Sequence, residues 1–306
     1  MKIGMIGLGR MGAAMVERLL EQGASVYATD VDESARAQAA AIGAEVFDSA
    51  AALVAGLPAQ STVWVMVPAQ FVDAVLDEIL PALTAGSIVI DGGNSAYQDS
   101  RIRHVRLAEQ GIHFLDCGTS GGVEGARTGA SLMIGGEMAA YEKVEPLFAL
   151  LATKNGYARV GGPGAGHFVK AVHNGIEYGM MGALAEGMAL LDEQQEEFAL
   201  DVAAVFKPYA NGSIIAGRLM DWLVSGYQKG LPDSISGEVP VGETEVKMQH
   251  LTTLGALPIL QASIEQRQQT RTTPSRTGKY IATLRNEFGG HATLPKKESE
   301  TESAYE

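Results

Sequence analysis

Short apolar runs alternate with helical patterns through the first half of the 306-residue chain, and this alternation constrains the fold more than any other feature. The runs are rich in Val and Ile and nearly continuous in apolar character, as is typical of parallel strands buried on both faces. The alternation predicts an α/β fold with a Rossmann-type, doubly wound parallel sheet. The predicted strands cover 2–7, 25–30, 61–67, 87–91 and 112–116, with extensions of the sheet at 130–136 and 157–162, and the helices cover 10–23, 32–43 and 97–111.

The pattern changes at "GGPGAGHF", residues 161–168, after which helical patterns continue with almost no strand signal. One long helix is predicted from about His167 to Gln194. We expect a Rossmann-type domain over 1–160, an all-α C-terminal domain over 161–292, and an acidic disordered tail over 293–306 that has no apolar period.

Composition excludes several classes of function. The net charge of -13 argues against a nucleic-acid partner, because phosphate binding needs clustered Lys and Arg. No stretch is long and apolar enough for a transmembrane helix, and the single cysteine, Cys117, indicates a reducing compartment, so we expect a cytoplasmic protein. The six histidines show no ligand spacing with cysteine or paired carboxylates, so no metal site is predicted.

A glycine motif stands between the first predicted strand and the first predicted helix. Its spacing is Gly7-x-Gly9-x-x-Gly12, with Leu8, Arg10 and Met11 between the glycines. The first glycine permits a tight turn, the second lets a pyrophosphate approach the backbone, and the third lets the helix pack on the strand. This context predicts a dinucleotide site, although a plain glycine-rich turn is the alternative reading.

The second strand ends at Asp30, where an acidic side chain accepts hydrogen bonds from an adenosine ribose and repels a 2′-phosphate. Asp32 follows closely, and the first arginine after it is Arg36. We therefore expect NAD rather than NADP as the cofactor. The alternative is that Asp30 caps the following helix.

Four polar residues share one face of the long helix, in the stretch "FVKAVHNGIEYGMM" of residues 168–181. Their spacing of i, i+3, i+4 and i+7 brings them together in a helix, and burying them is costly unless they are paired or functional. A solvated face with a Lys–Glu pair is the alternative. The polar set is Lys170, His173, Asn174 and Glu177, and the residues expected to point to the core are Val169, Val172, Ile176 and Met180.

Two further glycine-rich segments follow predicted strands: "DGGNS" at 91–95 and "DCGTSGG" at 116–122. Ligands of α/β sheets bind at the carboxyl ends of the strands, so these segments are expected near the nicotinamide end of a dinucleotide. Each alone is equally compatible with an ordinary turn. The small donors that they supply are Asn94, Ser120, Gly121 and Gly122.

Taken in order, "GLGRMG", "VMVP", "DGGNS", "DCGTSGGVEGAR" and "GHFVKAVHNGIEYGMM" resemble the decarboxylating 6-phosphogluconate dehydrogenases. This family lies within the β-hydroxyacid dehydrogenase group, and the chain length is similar to its short-chain form. The resemblance implies further cofactor contacts from Val67, Pro68 and Asn94.

The resemblance also implies an NAD-dependent oxidative decarboxylation of 6-phospho-D-gluconate, a 3-hydroxy aldonate, to ribulose 5-phosphate and CO2. Lys170 is expected to take the C3 hydroxyl proton and then to polarise the ketone, and Glu177 to protonate the enediol carbon. The residues implied to bind the substrate are Asn94, Ser120, Gly121, Gly122, His173 and Asn174.

At the far end of the substrate, the family holds a phosphate with a tyrosine, with basic groups, and with an arginine and a histidine of the partner subunit. Tyr178 and Arg267 match the first two, and Arg285 and His291 of "RNEFGGH" match the partner's segment. A homodimer or homotetramer is therefore expected, in which the C-terminal segment completes the partner's site.

The chain departs from the family in one element. Where the family has a Gly-Lys/Arg-Trp element, this chain reads "SGEVPVGETEVKMQH", with Glu243, Glu245 and Lys247 near that place. A carboxylate there would oppose a dianionic phosphate, unless the change is simple drift in a loop that Lys247 compensates. Open alternatives are a C6-modified, for example sulfonated, or unphosphorylated aldonate, a 3-hydroxyacid dehydrogenase without decarboxylation, and a dinucleotide-binding regulatory protein.

Overall fold

The computed structural model describes residues 1–296, which form two compact units: residues 1–170 and the chain from Ala171 onward. The division falls at 170/171, inside a helix, whereas the sequence pattern changes at 160/161. Most of the expected disordered tail, residues 297–306, lies outside the described residues. Within the rest of it, the Leu294 carbonyl accepts a hydrogen bond from Ser236 N at 2.8 Å.

The first unit contains an eight-stranded sheet with the order β3-β2-β1-β4-β5-β6-β7-β8. This confirms the Rossmann-type, doubly wound sheet that the alternation predicted. The strands are β1 Lys2–Ile6, β2 Ser25–Thr29, β3 Glu45–Val46, β4 Thr62–Val65, β5 Ile88–Asp91, β6 His113–Ser120, β7 Ala130–Gly135 and β8 Ala152–Gly161. The helices are α1 Arg10–Glu21, α2 Glu33–Ala41, α3 Ala50–Gly56, α4 Val72–Ile79, α5 Tyr97–Ala108, α6 Gly122–Thr128 and α7 Met138–Leu151, with 3-10 turns at Ala69–Phe71 and Leu80–Ala82.

Both faces of this sheet are buried, which explains the continuous apolar strands. Along β5, Ile88 and Ile90 belong to one hydrophobic cluster, whereas Val89 belongs to another. Trp64 and Val65 of β4 divide in the same way. Successive side chains of a strand point to opposite faces, so each strand contributes to two cores.

The sheet differs from the prediction at β6 and β7. "DCGTSGG" was expected as a turn after a strand ending at Asp116, but β6 continues to Ser120. The reason is that β7 pairs antiparallel with this extension, from Asp116↔Gly135 to Ser120↔Ser131, so the sheet is mostly rather than wholly parallel. The two-residue β3 was not predicted, because it is too short to show a period.

The second unit is all-α. Helix α8, Ala165–Glu193, begins in the first unit and continues into the second. The other helices are α9 Gln195–Phe198, α10 Val202–Ala210, α11 Arg218–Gln228, α12 Leu231–Ser234, α13 Glu245–Thr252, α14 Pro258–Thr272 and α15 Arg276–Gly289. None of the helices in residues 1–296 is both long and apolar enough to cross a membrane.

The buried face of α8 is not the predicted one. Val172, Ile176 and Met180 were expected in the core, but they are 39%, 61% and 52% exposed. Tyr178 and Met181 are buried instead, because they pack in clusters with residues of the other helices of this unit. The periodicity of the helix was correct, but the apolar stripe was assigned to the wrong side.

Candidate active site

The glycine motif forms a tight turn between β1 and α1. Gly7 has φ +100°, a left-handed conformation that favours glycine, and its N–H bonds the Thr29 carbonyl at 2.9 Å. A Cβ on Gly12 would overlap the Gly7 carbonyl oxygen, whereas Gly9 has open space around it. The turn therefore leaves backbone exposed where a pyrophosphate needs to approach, so these residues fit a bound dinucleotide. Within the motif Leu8 is buried, Met11 half-buried and Arg10 exposed.

Asp30 lies beside this turn at the end of β2. Its carboxylate accepts hydrogen bonds from Leu8 N at 2.5 Å and Asp32 N at 2.9 Å. The cap of α2 is Asp32, whose carboxylate accepts from Ser34 N, so the capping interpretation of Asp30 is wrong. Arg36 donates to the Asp30 carbonyl at 2.7 Å.

Val67 connects the glycine turn with the "DGGNS" segment. A Cβ on Gly7 would lie 2.9 Å from Val67 Cγ1, and one on Gly93 would lie 2.9 Å from the Val67 carbonyl oxygen. Pro68 follows and begins a 3-10 turn. The cofactor residues expected from "VMVP" and half-buried Asn94 of "DGGNS" thus belong to adjoining segments at the carboxyl edge of the sheet.

The "DGGNS" segment is held by a buried network that the sequence did not indicate. The Asp91 carboxylate accepts from Gly93 N at 3.1 Å, Ser95 Oγ at 2.7 Å and Arg103 Nη1 at 3.1 Å. Arg103, 2% exposed, also bonds Asp73 through two nitrogens, and these bonds lower the pKa of the Asp73 carboxyl. The loop that carries Asn94 is thereby fixed.

A second buried carboxylate holds the beginning of α8. Asp116 accepts from Gly164 N at 2.7 Å and His167 N at 2.8 Å, which are N–H groups at the N-terminus of that helix. Gly118, on the same strand, lies directly under Lys170, because a Cβ on Gly118 would overlap the Lys170 Cβ. Strand β6 thus positions the backbone of Lys170.

Helix α8 carries the predicted polar face. His173 Nδ1 lies 3.3 Å from Asn174 Oδ1 and 3.8 Å from Glu177 Oε2, and Asn174 is buried. Lys170 precedes them on the same helix and is half-buried. The other predicted donors, Ser120, Gly121 and Gly122, are half-buried where β6 ends and α6 begins.

In the second unit, Tyr178 and Arg267 lie together. The Arg267 guanidinium carbon stands 3.5 Å from the centroid of the Tyr178 ring, and the Tyr178 hydroxyl lies 3.0 Å from Thr244 Oγ1. Arg267 is only 4% exposed, and burial lowers its pKa to about 10, so it stays protonated at neutral pH. Its Nη2 also donates to Met181 Sδ at 3.5 Å.

Arg285 lies in this cluster of its own chain, whereas the resemblance implied that it comes from the partner. Its Nη1 donates to the Pro240 carbonyl at 2.6 Å, and burial lowers its pKa. Within residues 1–296, neither Arg267 nor Arg285 forms an ion pair with a carboxylate. His291 is exposed beyond the end of α15, with its ring against Phe288.

The segment that lacks the family's Gly-Lys/Arg-Trp element carries two acidic residues, Glu243 and Glu245, whose surroundings differ. Glu245 is buried and forms a two-pronged ion pair with Arg271, whereas Glu243 is exposed. Burial alone would raise the pKa of Glu245, but the hydrogen bonds and charge of Arg271 outweigh it and lower the pKa. Sequence reasoning missed Arg271, and its spacing of four residues from Arg267 on α14 was the available signal.

Comparison with known proteins identifies the family. Residues 2–161 match the NAD binding domain of 6-phosphogluconate dehydrogenase, and residues 166–225 match the 6-phosphogluconate dehydrogenase C-terminal domain. The chain belongs to the 6-phosphogluconate dehydrogenase family. It is therefore an oxidoreductase of that family with an NAD-binding Rossmann-type domain and a helical C-terminal domain.

Relatives of similar length support this membership. A Haloferax volcanii protein, named an NAD(+)-dependent, decarboxylating 6-phosphogluconate dehydrogenase, is 39% identical over 97% of this chain and 99% of its own. A Bacillus subtilis protein, whose name provisionally places it in the same family, is 42% identical over 97% of this chain and 100% of its own.

Solved structures show the same fold. Plasmodium falciparum 6-phosphogluconate dehydrogenase has a TM-score of 0.76 at 24% identity and covers 89% of this chain, which spans 62% of that one. Mycobacterium tuberculosis 3-hydroxyisobutyrate dehydrogenase has a TM-score of 0.73 at 23% identity over 93% of this chain and 99% of its own. At these identities the likeness extends to the fold alone.

Proposed function

We propose that this chain catalyses the NAD-dependent oxidative decarboxylation of 6-phospho-D-gluconate to ribulose 5-phosphate, a pentose phosphate, and CO2. The proposal rests on two features that occur together. Lys170 and Glu177 share one face of α8. Two buried arginines, Arg267 and Arg285, have no carboxylate partner in residues 1–296. A sugar acid with a terminal anion needs both. The near full-length identity to the Haloferax volcanii relative supports the same reaction.

Lys170 and Glu177 are the proposed catalytic residues. Bound NAD supplies a hydride acceptor for C3 of the substrate. Neutral Lys170 takes the C3 hydroxyl proton, and the resulting ammonium then donates a hydrogen bond to the C3 ketone oxygen, which makes the ketone a better electron sink. The bond to the carboxyl group breaks, CO2 leaves, and its electron pair forms an enediol as the ketone oxygen takes the proton of the Lys170 ammonium. Glu177 then protonates the carbon that lost the carboxyl group, while Lys170 takes back the enediol proton and the ketone product forms.

The remaining predicted residues have binding roles in this scheme. Asn94, Ser120, Gly121 and Gly122 are small donors suited to the carboxylate and hydroxyl groups of an aldonate. His173 and Asn174 extend the same polar face between the two catalytic residues. Tyr178, Arg267 and Arg285 are proposed to hold the terminal phosphate, because guanidinium groups bind phosphate with charge-assisted hydrogen bonds.

We also propose a homodimer. Val172, Ile176 and Met180 form an exposed apolar stripe on α8, and Ile259, 71% exposed, adjoins it beside Gly179. A contiguous apolar surface of this kind marks a protein contact. A second copy on this stripe is the proposed occupant, with exposed His291 completing the partner's phosphate site. Light scattering on wild type and Ile176→Glu should show a dimer and a monomer; a monomeric wild type would contradict the proposal.

A substrate panel tests the proposed function. The full-length chain is assayed with NAD and with 6-phosphogluconate, gluconate or a C6-sulfonated gluconate analogue. The expected result is the highest kcat/KM for the phosphorylated acid. Turnover of only the sulfonated or unphosphorylated acid would overturn the proposed substrate, and NAD binding without turnover of any acid would indicate a regulatory protein.

A further inference from the structure

A hydrogen bond joins α5 to the first turn of α8, one turn before Lys170. Ser100 Oγ of α5 lies 2.7 Å from His167 Nδ1 of α8. Ser100 is fully buried, and His167 is 3% exposed. Because a serine hydroxyl can donate or accept, the bond forms whichever ring nitrogen carries the proton. Residues three apart in a helix are neighbours, so the bond lies beside the proposed proton acceptor.

The second ring nitrogen of His167 indicates that this residue does not serve stability. Its Nε2 is buried and has no hydrogen-bond partner within residues 1–296. An unpaired buried polar atom costs free energy of folding, and an apolar side chain of similar size would avoid that cost. A histidine here therefore needs a reason other than packing, and the bond between Nδ1 and Ser100 supplies one.

The main chain of this first turn is held against the sheet. Asp116 accepts hydrogen bonds from Gly164 N at 2.7 Å and His167 N at 2.8 Å. A Cβ on Gly166 would overlap the carbonyl oxygens of Asp116 and Met133. These contacts fix how closely α8 approaches β6 and β7. The bond from the His167 side chain runs to a different element, α5, and therefore restricts rotation of the turn about the helix axis.

Helix α5 also holds the segment that carries Asn94. Arg103 lies three residues after Ser100, on the same side of the helix. Its Nη1 donates to Ser95 Oγ at 2.9 Å and to Asp91 Oδ2 at 3.1 Å. One helix thus connects the "DGGNS" segment, through Arg103, with the beginning of α8, through Ser100.

We propose that His167 and Ser100 are positioning residues for Lys170. Their bond holds this lysine in register with the "DGGNS" segment, so that the proton acceptor and the nicotinamide meet the same substrate carbon. The inference rests on the proposed function, because it needs Lys170 as the proton acceptor. A catalytic group displaced by about 1 Å costs about a hundredfold in rate, and loss of one bond that restrains it should cost less.

Substitutions that remove or keep the bond test this role. Ser100→Ala and His167→Gln remove it and should each lower kcat by about tenfold, while the KM for NAD stays within about twofold of wild type. The double variant should lose no more than either single variant, because the two side chains share one bond. His167→Asn should keep kcat near wild type, since its amide group lies where Nδ1 lies and can bond Ser100.

Single turnovers separate positioning from stability. With enzyme and NAD in excess over the acid, the rate constant of NADH formation reports the chemical step in the folded enzyme. It should fall by about tenfold in Ser100→Ala and in His167→Gln, and stay near wild type in His167→Asn. A purely structural role would reduce the amount of folded protein and leave this rate constant unchanged.

His104→Asn is the matched control, because His104 is a histidine of α5 that also has a buried, unpaired ring nitrogen, and its ring faces Glu137 at 4.0 Å. It should leave the single-turnover rate unchanged. Wild-type rates in Ser100→Ala and His167→Gln would overturn the inference. Equal losses in His167→Asn and His167→Gln would do the same, as would a double variant that multiplies the two losses. If His167→Gln does not fold, Ser100→Ala and His167→Asn carry the test.

The variants are compared on an acid that wild type oxidises, since Lys170 would take the proton from any 3-hydroxy acid. Turnover of another acid but not of 6-phosphogluconate would refute the proposed substrate, while the comparison of variants would still test the positioning role. Absence of turnover with every acid would overturn both.

Discussion

The two units of the molecule build their binding groups by different means. In the first unit, the backbone supplies most of them: a left-handed glycine at the βα turn, and N–H groups that Asp91 and Asp116 hold in place. In the second unit, side chains from separate helices form the cluster. Arg267 of α14 stacks on Tyr178 of α8, and Arg285 belongs to α15.

This difference determines what damages each unit. In the first unit, a Cβ on Gly12 or Gly118 would overlap a neighbouring atom, so an added methyl group at either position should be damaging. In the second unit, the loss of a charge should be damaging, because the proposed binding groups are a few buried charged side chains. The predictions below test this difference between the two units.

The largest effect is expected at Lys170, the one proposed catalytic side chain positioned directly by the backbone of the first unit. Lys170→Met should lower kcat by about a thousandfold or more, because it removes the proton acceptor. NAD affinity, measured by fluorescence titration, should stay unchanged. Lys154→Met, at an exposed lysine of β8, is the control. Near wild-type turnover in Lys170→Met would remove the lysine from the mechanism.

A single methyl group should be the next most damaging change. Gly118→Ala places a Cβ against that of Lys170, and a displacement of about 1 Å at a catalytic group costs about a hundredfold in kcat. Gly162→Ala is the control, because nothing lies within 4 Å of a Cβ there. Equal kcat values for the two alanine variants would show that the first unit does not depend on close backbone packing.

In the second unit, loss of charge should matter more than loss of shape. Arg267→Met keeps an apolar chain against Tyr178 but removes the guanidinium, so the Michaelis constant for the phosphorylated substrate should rise by about thirtyfold. The kcat/KM for gluconate serves as the internal control and should change little. An equal loss for both substrates would mean that Arg267 supports the fold and not the terminal anion.

The smallest expected effect concerns the choice of cofactor. Wild type should prefer NAD over NADP by at least about tenfold in kcat/KM, and Asp30→Asn should reduce that preference by about tenfold because it removes the charge that repels a 2′-phosphate. Asp32→Asn, at the cap of α2, should alter thermal stability and leave the preference intact. A wild-type preference for NADP would contradict the assignment of Asp30.

The same contrast explains how much the sequence could predict. The glycine spacing and strand runs are local, so the NAD-binding Rossmann-type fold followed from short stretches of sequence. The antiparallel β7 could not be predicted, because antiparallel and parallel strands share one apolar pattern when both faces are buried.

In the second unit, the sequence did not indicate how the helices pack against one another. The period of α8 located Lys170, His173, Asn174 and Glu177 on one face, yet it could not tell which apolar stripe faces the other helices. The partner of Glu245 is Arg271, 26 residues away, and only tertiary structure brings them together. A pairing between separate helices leaves no period in the sequence.

The most direct test of the central claim is the number of CO2 molecules released for each NADH formed when purified wild type oxidises 6-phosphogluconate. The proposed roles of Lys170 and Glu177 require one CO2 for each NADH, with ribulose 5-phosphate as the product. NADH formation without CO2 would show a 3-hydroxyacid dehydrogenase that stops at the ketone, and the decarboxylation proposed for this chain would then be wrong.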